Sequence, residues 1–265
     1  MDDVRLYLRL VGGRARSQLQ YPAGFALDVV GATFTAALDL VALLVLFSNI
    51  DVMDGWSVAQ VCVLFGVAQT AFALAELLVG HLDKLPVELR AGTFDMVLLQ
   101  PRSSLLMMIA SDFSLRRLGQ LALALVTTVV AWARVDAALT PSAVALLLLT
   151  VATGTVIFCA VWVIGAASTF WTVDTMELTN SLTYGGRQLT SYPLGIYQAW
   201  LRRFVVFVVP LGCVAYFPVR HLVGLDPAGT PTLARFAGVP AAVGLATVAG
   251  LAWRAAVRTY RGTGS

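Results

Sequence analysis

"HLDKLPVELRAGTFDMVLLQPRSS", residues 81–104, holds the only lysine of the chain, Lys84, among acids, arginines, two prolines and a glycine. A long apolar run ends just before this stretch and another begins soon after it. A helix needs roughly 20 mostly apolar residues to cross about 30 Å of hydrocarbon. Residues 56–80 supply that length on one side, and residues 116–134 nearly supply it on the other. A polar insert between two such runs reads as a loop at a membrane face.

The rest of the chain agrees. Of its 265 residues, 58% are hydrophobic and 12% charged, and the mean hydropathy is +0.81. Soluble domains carry about 25% charged residues, so too few charges remain here to cover a water-facing surface. Outward from the loop, residues 25–48, 143–170, 200–218 and 233–253 are further spans. The expected fold is all-α and integral to the membrane, one domain with six transmembrane helices. The fourth span is long enough to tilt. The third and fifth start beside Arg116, Arg117, Arg202 and Arg203, whose long stems can reach the interface.

Basic residues set the orientation. With the N-terminus in the cytoplasm and six alternating spans, only Arg134, Arg220 and Arg235 of the 18 basic residues fall outside. Both termini are therefore expected in the cytoplasm, and the membrane is expected to be that of the cell. Five tryptophans, Trp56, Trp132, Trp171, Trp200 and Trp253, fall near span ends, where indole suits the headgroup level. Trp162 lies inside the fourth span and reads as helix packing. Residues 1–24 carry arginines on an amphipathic segment suited to lie along lipid headgroups. The segment "PVRHLVGLDPAGTPT", residues 218–232, is half apolar and could dip into the outer leaflet as a re-entrant element.

Several chemistries lack their residues. No G-x-x-x-x-G-K-[ST] loop exists, so ATP is not bound here in that way. No H-E-x-x-H or G-x-S-x-G motif is present. No basic block interleaved with aromatics points to nucleic acid. Cys62, Cys159 and Cys213 sit in apolar runs as small hydrophobes. No cofactor or metal is expected in this chain.

Within the opening stretch, Pro86 suits the first turn of a helix that Gly92 stops. Thr93 is expected to cap a second short helix, with Asp95 near its positive end. That helix ends at Pro101, and Phe94, Val97 and Leu98 share one apolar face. Such a helix either rests on lipid or presents a knob to a partner. Two carboxylates lie within spans, Asp39 in the first and Glu76 near the inner end of the second. A carboxylate at the bilayer centre costs roughly 2.5–3.5 kcal/mol on insertion scales and faces a partner or a cavity. Asp39 and Glu76 are thus candidates for a translocation path, for a polar contact between helices, or for the titrating group of a proton-coupled secondary transporter. An integral membrane enzyme would have to rest on Asp174 and Glu177, three residues apart, which a segment leaving the membrane explains as well.

The stretch "VELRAGTFDMVLLQPRSSL" resembles a segment found after the second span in the ABC-2 membrane proteins, the permease subunits of type-2 ABC transporters, and in particular their viologen-exporter-like branch. Leu89, Arg90, Gly92, Phe94, Asp95, Leu98 and Pro101 carry the match, and Gln100 stands where arginine is common. "YPLGIYQAWLRRFVVFVVPLGCVAYFPVRHLVG" is similar to the branch's segment around the fifth span, through Tyr192, Pro193, Ile196, Tyr197, Trp200, Leu201, Arg202, Pro210, Phe217 and Pro218. The tail "WRAAVRTYRGTGS" resembles the family's closing segment. The resemblance implies a permease that forms the path, a second permease subunit, identical or homologous, and separate ABC ATPase subunits that bind ATP and Mg. It also implies that residues 81–117 form the coupling loop, with Arg90, Gly92, Phe94, Asp95, Val97, Leu98 and Pro101 at the ATPase contact. The family's leaning is towards export of hydrophobic or amphiphilic compounds.

Overall fold

A computed structural model describes residues 12–13, 16–18, 20–101, 103–111, 114–172, 176–227 and 230–260. Among these the chain is helical apart from one small hairpin. Helix α1 (Pro22–Phe47) has a proline in its first turn, where no amide partner is lost. The hairpin pairs β1 (Val52–Met53) with β2 (Trp56–Ser57), Met53 opposite Trp56. Asp54 and Gly55 make its two-residue turn with φ of 52° and 82°, the left-handed pair that matches strand twist.

Ser57 opens α2 (Val58–Val79) with a capping box. Its hydroxyl accepts the Gln60 amide at 3.4 Å, and Gln60 Oε1 accepts the Ser57 amide at 2.9 Å. A tight turn over Gly80–Lys84 leads into α3 (Leu85–Arg90), then α4 (Phe94–Leu98) and α5 (Ser104–Ser111). There follow α6 (Leu118–Trp132), α7 (Pro141–Ser168), α8 (Met176–Thr190), α9 (Ala199–Arg203), α10 (Tyr216–Leu222) and α11 (Gly238–Thr259). Thr140 caps α7, accepting the Ala143 amide at 3.2 Å. Five helices are long and apolar enough to cross a membrane: α1, α2 with its extension to Arg90, α6 with the turn before it, α7 and α11.

Helix α2 is the axis of the molecule, buried along most of its length. It packs on α6 to one side and α7 to the other; α11 lies beyond α7 and α1 beyond α6. The approach of α2 to α6 needs Gly66. A Cβ there would stand 2.9 Å from the Thr128 amide nitrogen and 3.0 Å from the Ala124 carbonyl, so the backbones nearly touch. Spare hydroxyls are absorbed locally. Thr70, Thr127, Thr128, Thr150 and Thr155 each donate to the carbonyl four residues back at 2.7–2.9 Å, which leaves none to be solvated by lipid.

The expected fifth span, residues 200–218, is broken by a sharp bend. The segment Ala199–Val208 and the segment Leu211–Leu222 meet at a bend of 76°. Pro210 accounts for it: proline has no amide to continue a helix and forces its predecessor out of helical geometry, and Val209 stands at φ −118° and ψ 90°. The chain dips until Val214 packs against Gly154, then returns until the Tyr216 ring lies beside Trp56. Both ends of the bent segment lie near the Asp54 hairpin, at one end of the bundle.

The bundle is also traversed by α8 and the turn after it. Tyr184 bonds Asp83 at one end of α2, Arg187 bonds Gln69 midway, and Gly195 lies against Asp54 at the other end. Residues 176–196 therefore traverse the bundle antiparallel to α2. Arg187 lies inside the bundle, and Arg202 and Arg203 lie at the Asp54 end, not with the inner-loop basic residues as the alternation of spans predicts. The excess of basic residues still sits at the Asp83 end. Lys84, Arg90, Arg116 and Arg117 are there. So are Arg254 and Arg258, because Trp253 bonds Ser104 and Tyr260 meets Phe94.

Candidate functional site

Two polar layers cross the apolar bundle. In the first, midway along α2, Arg187 of α8 forms an ion pair with Asp39 of α1. Its Nε donates to Gln69 Oε1 at 2.8 Å, and its guanidinium lies 5.3 Å from the centre of the Phe72 ring. The Gln69 amide donates to the Ser191 hydroxyl at 3.1 Å, and Gln188 donates to Asp39 at 3.3 Å. The second layer is near the Asp83 end. Arg117 Nε stands 3.3 Å from Glu76 Oε1, and the same guanidinium donates to the Glu76 carbonyl. Asp83 accepts from the Trp162 indole at 2.7 Å and from the Tyr184 hydroxyl at 3.0 Å. Phe72, Trp162 and Tyr184 close around these groups with ring centres 5.2–5.7 Å apart.

Each of these acids, Glu76 buried and Asp39 and Asp83 half-buried, thus has a basic or hydrogen-bonding partner from another helix, which offsets the cost of its desolvation. Asp39 joins α1 to α8, and Glu76 joins α2 to the turn before α6. Arg117 is buried in that role, which corrects its expected placement as an interfacial arginine. Gly80 makes room for it: a Cβ there would stand 2.4 Å from the guanidinium. Trp162 packs as expected and also holds Asp83, a partner that sequence alone does not bring near it. Asp174 lies outside the described residues. Glu177 is exposed in the first turn of α8, where a negative charge suits the helix dipole. Of the segment over residues 4–19, Gly12–Gly13 and Arg16–Gln18 are described and helical, and Gln18 accepts the Leu115 amide at 3.0 Å.

Residues 81–104 form a knob of short helices at the Asp83 end. Helix α3 ends in a reciprocal pair of bonds, Thr93 N–H to Glu88 O at 3.1 Å and Gly92 N–H to Leu89 O at 3.2 Å, with Gly92 at φ 70°. Thr93 closes the first helix with this amide and with its hydroxyl, 3.2 Å from the same carbonyl, and makes no side-chain cap for α4. That corrects the expected capping role. His81 and Glu88 meet at 3.1 Å and tie the turn to α3.

The expected apolar face of α4 is divided. Phe94 is fully buried, with its ring edge-on to Phe170 of the α7 exit and Tyr260 of the α11 exit at 5.2 and 5.4 Å. Phe94 is thus an anchor into the bundle and not part of the outer surface. Val97 is half-buried, and Leu98 is partly exposed. Met96 and Leu99 are the most exposed apolar side chains there, at 66% and 85%, beside Val87 of α3. Arg90, Gln100 and Pro101 are exposed at the rim, and Asp95 is half-buried near Tyr260. Burial, and then the Asp95 charge, push the Tyr260 phenol above its ordinary value.

No curated protein and no solved structure matches the chain. A family model described as "ABC-2 family transporter protein" matches residues 33–264, from the first span through the last helix and its exit. This chain is a multi-pass membrane protein that belongs to the ABC-2 transporter family, as a membrane component and not itself the ATPase.

Proposed function

We propose that the chain is the permease subunit of an ATP-driven exporter of the viologen-exporter-like branch, in the cell membrane, moving a hydrophobic or amphiphilic compound. The Asp83 end faces the cytoplasm, and the knob over residues 81–104 docks on an ABC ATPase that binds ATP and Mg. The family match carries this reading. The exposed apolar pair Met96 and Leu99, on a helix anchored through Phe94 to the exits of α7 and α11, supports the place of contact. A short helix can seat such side chains in a groove while flanking charges such as Arg90 set its direction. Movement of the seated knob is passed to α7 and α11 by ring packing. Helix α1 leaves its apolar surface almost wholly uncovered, which lipid or a second permease subunit, identical or homologous, would cover. Asp39 and Glu76 already hold arginine partners, which favours a pinning role over that of a free proton carrier.

Two measurements test the proposal. The affinity-tagged chain, solubilised in mild detergent, is expected to retain an ABC ATPase subunit from its own cells; recovery of the folded chain without one counts against the reading. Lys84 is the sole lysine and is exposed. In sealed right-side-out vesicles an impermeant amine reagent is expected to reach it only after permeabilisation, as mapped on the peptide. Labelling of intact vesicles at Lys84 would reverse the orientation.

A further inference from the structure

At the Asp54 end, the hairpin turn, the turn after α8 and the bent segment 199–222 enclose a cavity of about 560 Å³. Its charged lining is three arginines, Arg202, Arg203 and Arg220, against one acid, Asp54. Its apolar lining includes Trp56, Tyr216 and Phe217. The back wall is built firmly. Trp56 is 2% exposed and its ring lies 5.7 Å from that of Tyr216. Arg220 donates from Nε to the Leu225 carbonyl at 3.1 Å and from Nη1 to the Tyr216 hydroxyl at 3.3 Å. One guanidinium is thereby fixed in place. The guanidinium groups of Arg202 and Arg203 form no hydrogen bond or ion pair among the described residues, and both side chains are exposed at the mouth. Beside them Phe207 is 82% exposed and Val208 64%, an apolar track leading away from the cavity.

We infer that this cavity binds the phosphate head of an anionic amphiphile, with its chain laid along Phe207 and Val208. Three guanidinium groups facing one carboxylate leave an excess of positive charge, which a phosphate of one or two charges compensates and a cation does not. Planar guanidinium forks match phosphate oxygens in pairs of bonds, and the fixed Arg220 needs no reordering to take part. The occupant is either a phospholipid of the facing leaflet or a phosphate-bearing amphiphile dissolved from elsewhere. Either source brings the same head and tail. The site does not depend on the ATP-driven reading, and its failure would leave that reading standing.

The purified full-length chain in a neutral maltoside detergent is titrated with dodecyl phosphate, inorganic phosphate and dodecyltrimethylammonium, with the thermal unfolding midpoint as readout. Dodecyl phosphate is expected to raise the midpoint saturably. Inorganic phosphate, which lacks the chain, should act only at much higher concentration, and the cation should not compete. The double variant Arg202→Gln/Arg203→Gln is expected to weaken dodecyl phosphate about tenfold or more. Arg134→Gln, an exposed arginine at the same end but outside the cavity, should leave it unchanged. Native mass spectrometry from nanodiscs containing phosphatidylglycerol separates the sources. Retention lost in the double variant assigns the site to membrane lipid, whereas no retention alongside tight dodecyl phosphate assigns it to a dissolved amphiphile. Equal weakening by Arg134→Gln, or none by the double variant, overturns the site. If the double variant fails to fold, Arg202→Lys/Arg203→Lys keeps the charge, loses the fork, and should bind with intermediate strength; wild-type binding by that variant also overturns the site.

Discussion

Replacing Arg187 with leucine is expected to cost about 3–5 kcal/mol of stability and to abolish accumulation of the folded chain in the membrane. Arg187 is the centre of the midway layer, bonded to Asp39 and Gln69 and resting on Phe72. Removing it leaves the half-buried Asp39 carboxylate without its cation, with Gln188 bonded to it and Tyr192 nearby. Breaking one half of a buried pair costs more than the pair contributes, because the remaining charge is stranded. The milder change Asp39→Asn leaves an arginine that still holds Gln69, and its loss should be smaller. The double variant Asp39→Asn/Arg187→Gln strands no charge and should recover most of the midpoint lost by Arg187→Leu, read as thermal unfolding in detergent. If Asp39→Asn instead abolishes transport at unchanged stability while Arg187→Leu folds normally, Asp39 serves the path and not the scaffold.

The number and place of most membrane helices were legible because each is a long apolar run. Residues 25–48, 56–80, 116–134 and 143–170 fall on α1, α2, α6 and α7 within a few residues, whereas α11 runs five to six residues later than the expected 233–253. The passage of residues 176–196 along the bundle was not legible. Its helix α8, "MELTNSLTYGGRQLT", is too polar to register as a span, since its polar side chains are met inside the bundle by Asp39, Gln69 and Asp83. The apolar run at 200–218 took its place in the reading, although Pro210 within it was the signal for a break. The same substitution moved Arg202 and Arg203 to the wrong end. Asp39 and Glu76 stood out by their cost in lipid, but their partners lie 148 and 41 residues away in sequence, a distance that no local pattern spans. The Asp54–Gly55 hairpin carried a readable turn signal that a count of spans passes over.

The second large effect concerns the knob, where the structure separates two residues that share a face in sequence. Met96→Asp together with Leu99→Asp is expected to change stability by less than about 0.5 kcal/mol, because both side chains are exposed. Transport by the reconstituted complex should nevertheless fall about tenfold or more if these side chains fill the ATPase groove, with ATP hydrolysis either lost or no longer stimulated by cargo. Phe94→Asp should behave differently. Its ring is fully enclosed between Phe170 and Tyr260, and a charge there would lose both the ring contacts and its own solvation, at a cost of at least about 3–5 kcal/mol. That variant should lose folded protein before it can lose coupling. The pair of variants therefore distinguishes a docking surface from its anchor. Normal transport by the Met96/Leu99 variant would move the contact elsewhere on the Asp83 end. A well-folded but uncoupled Phe94 variant would mean that the ring leaves its pocket to meet the partner.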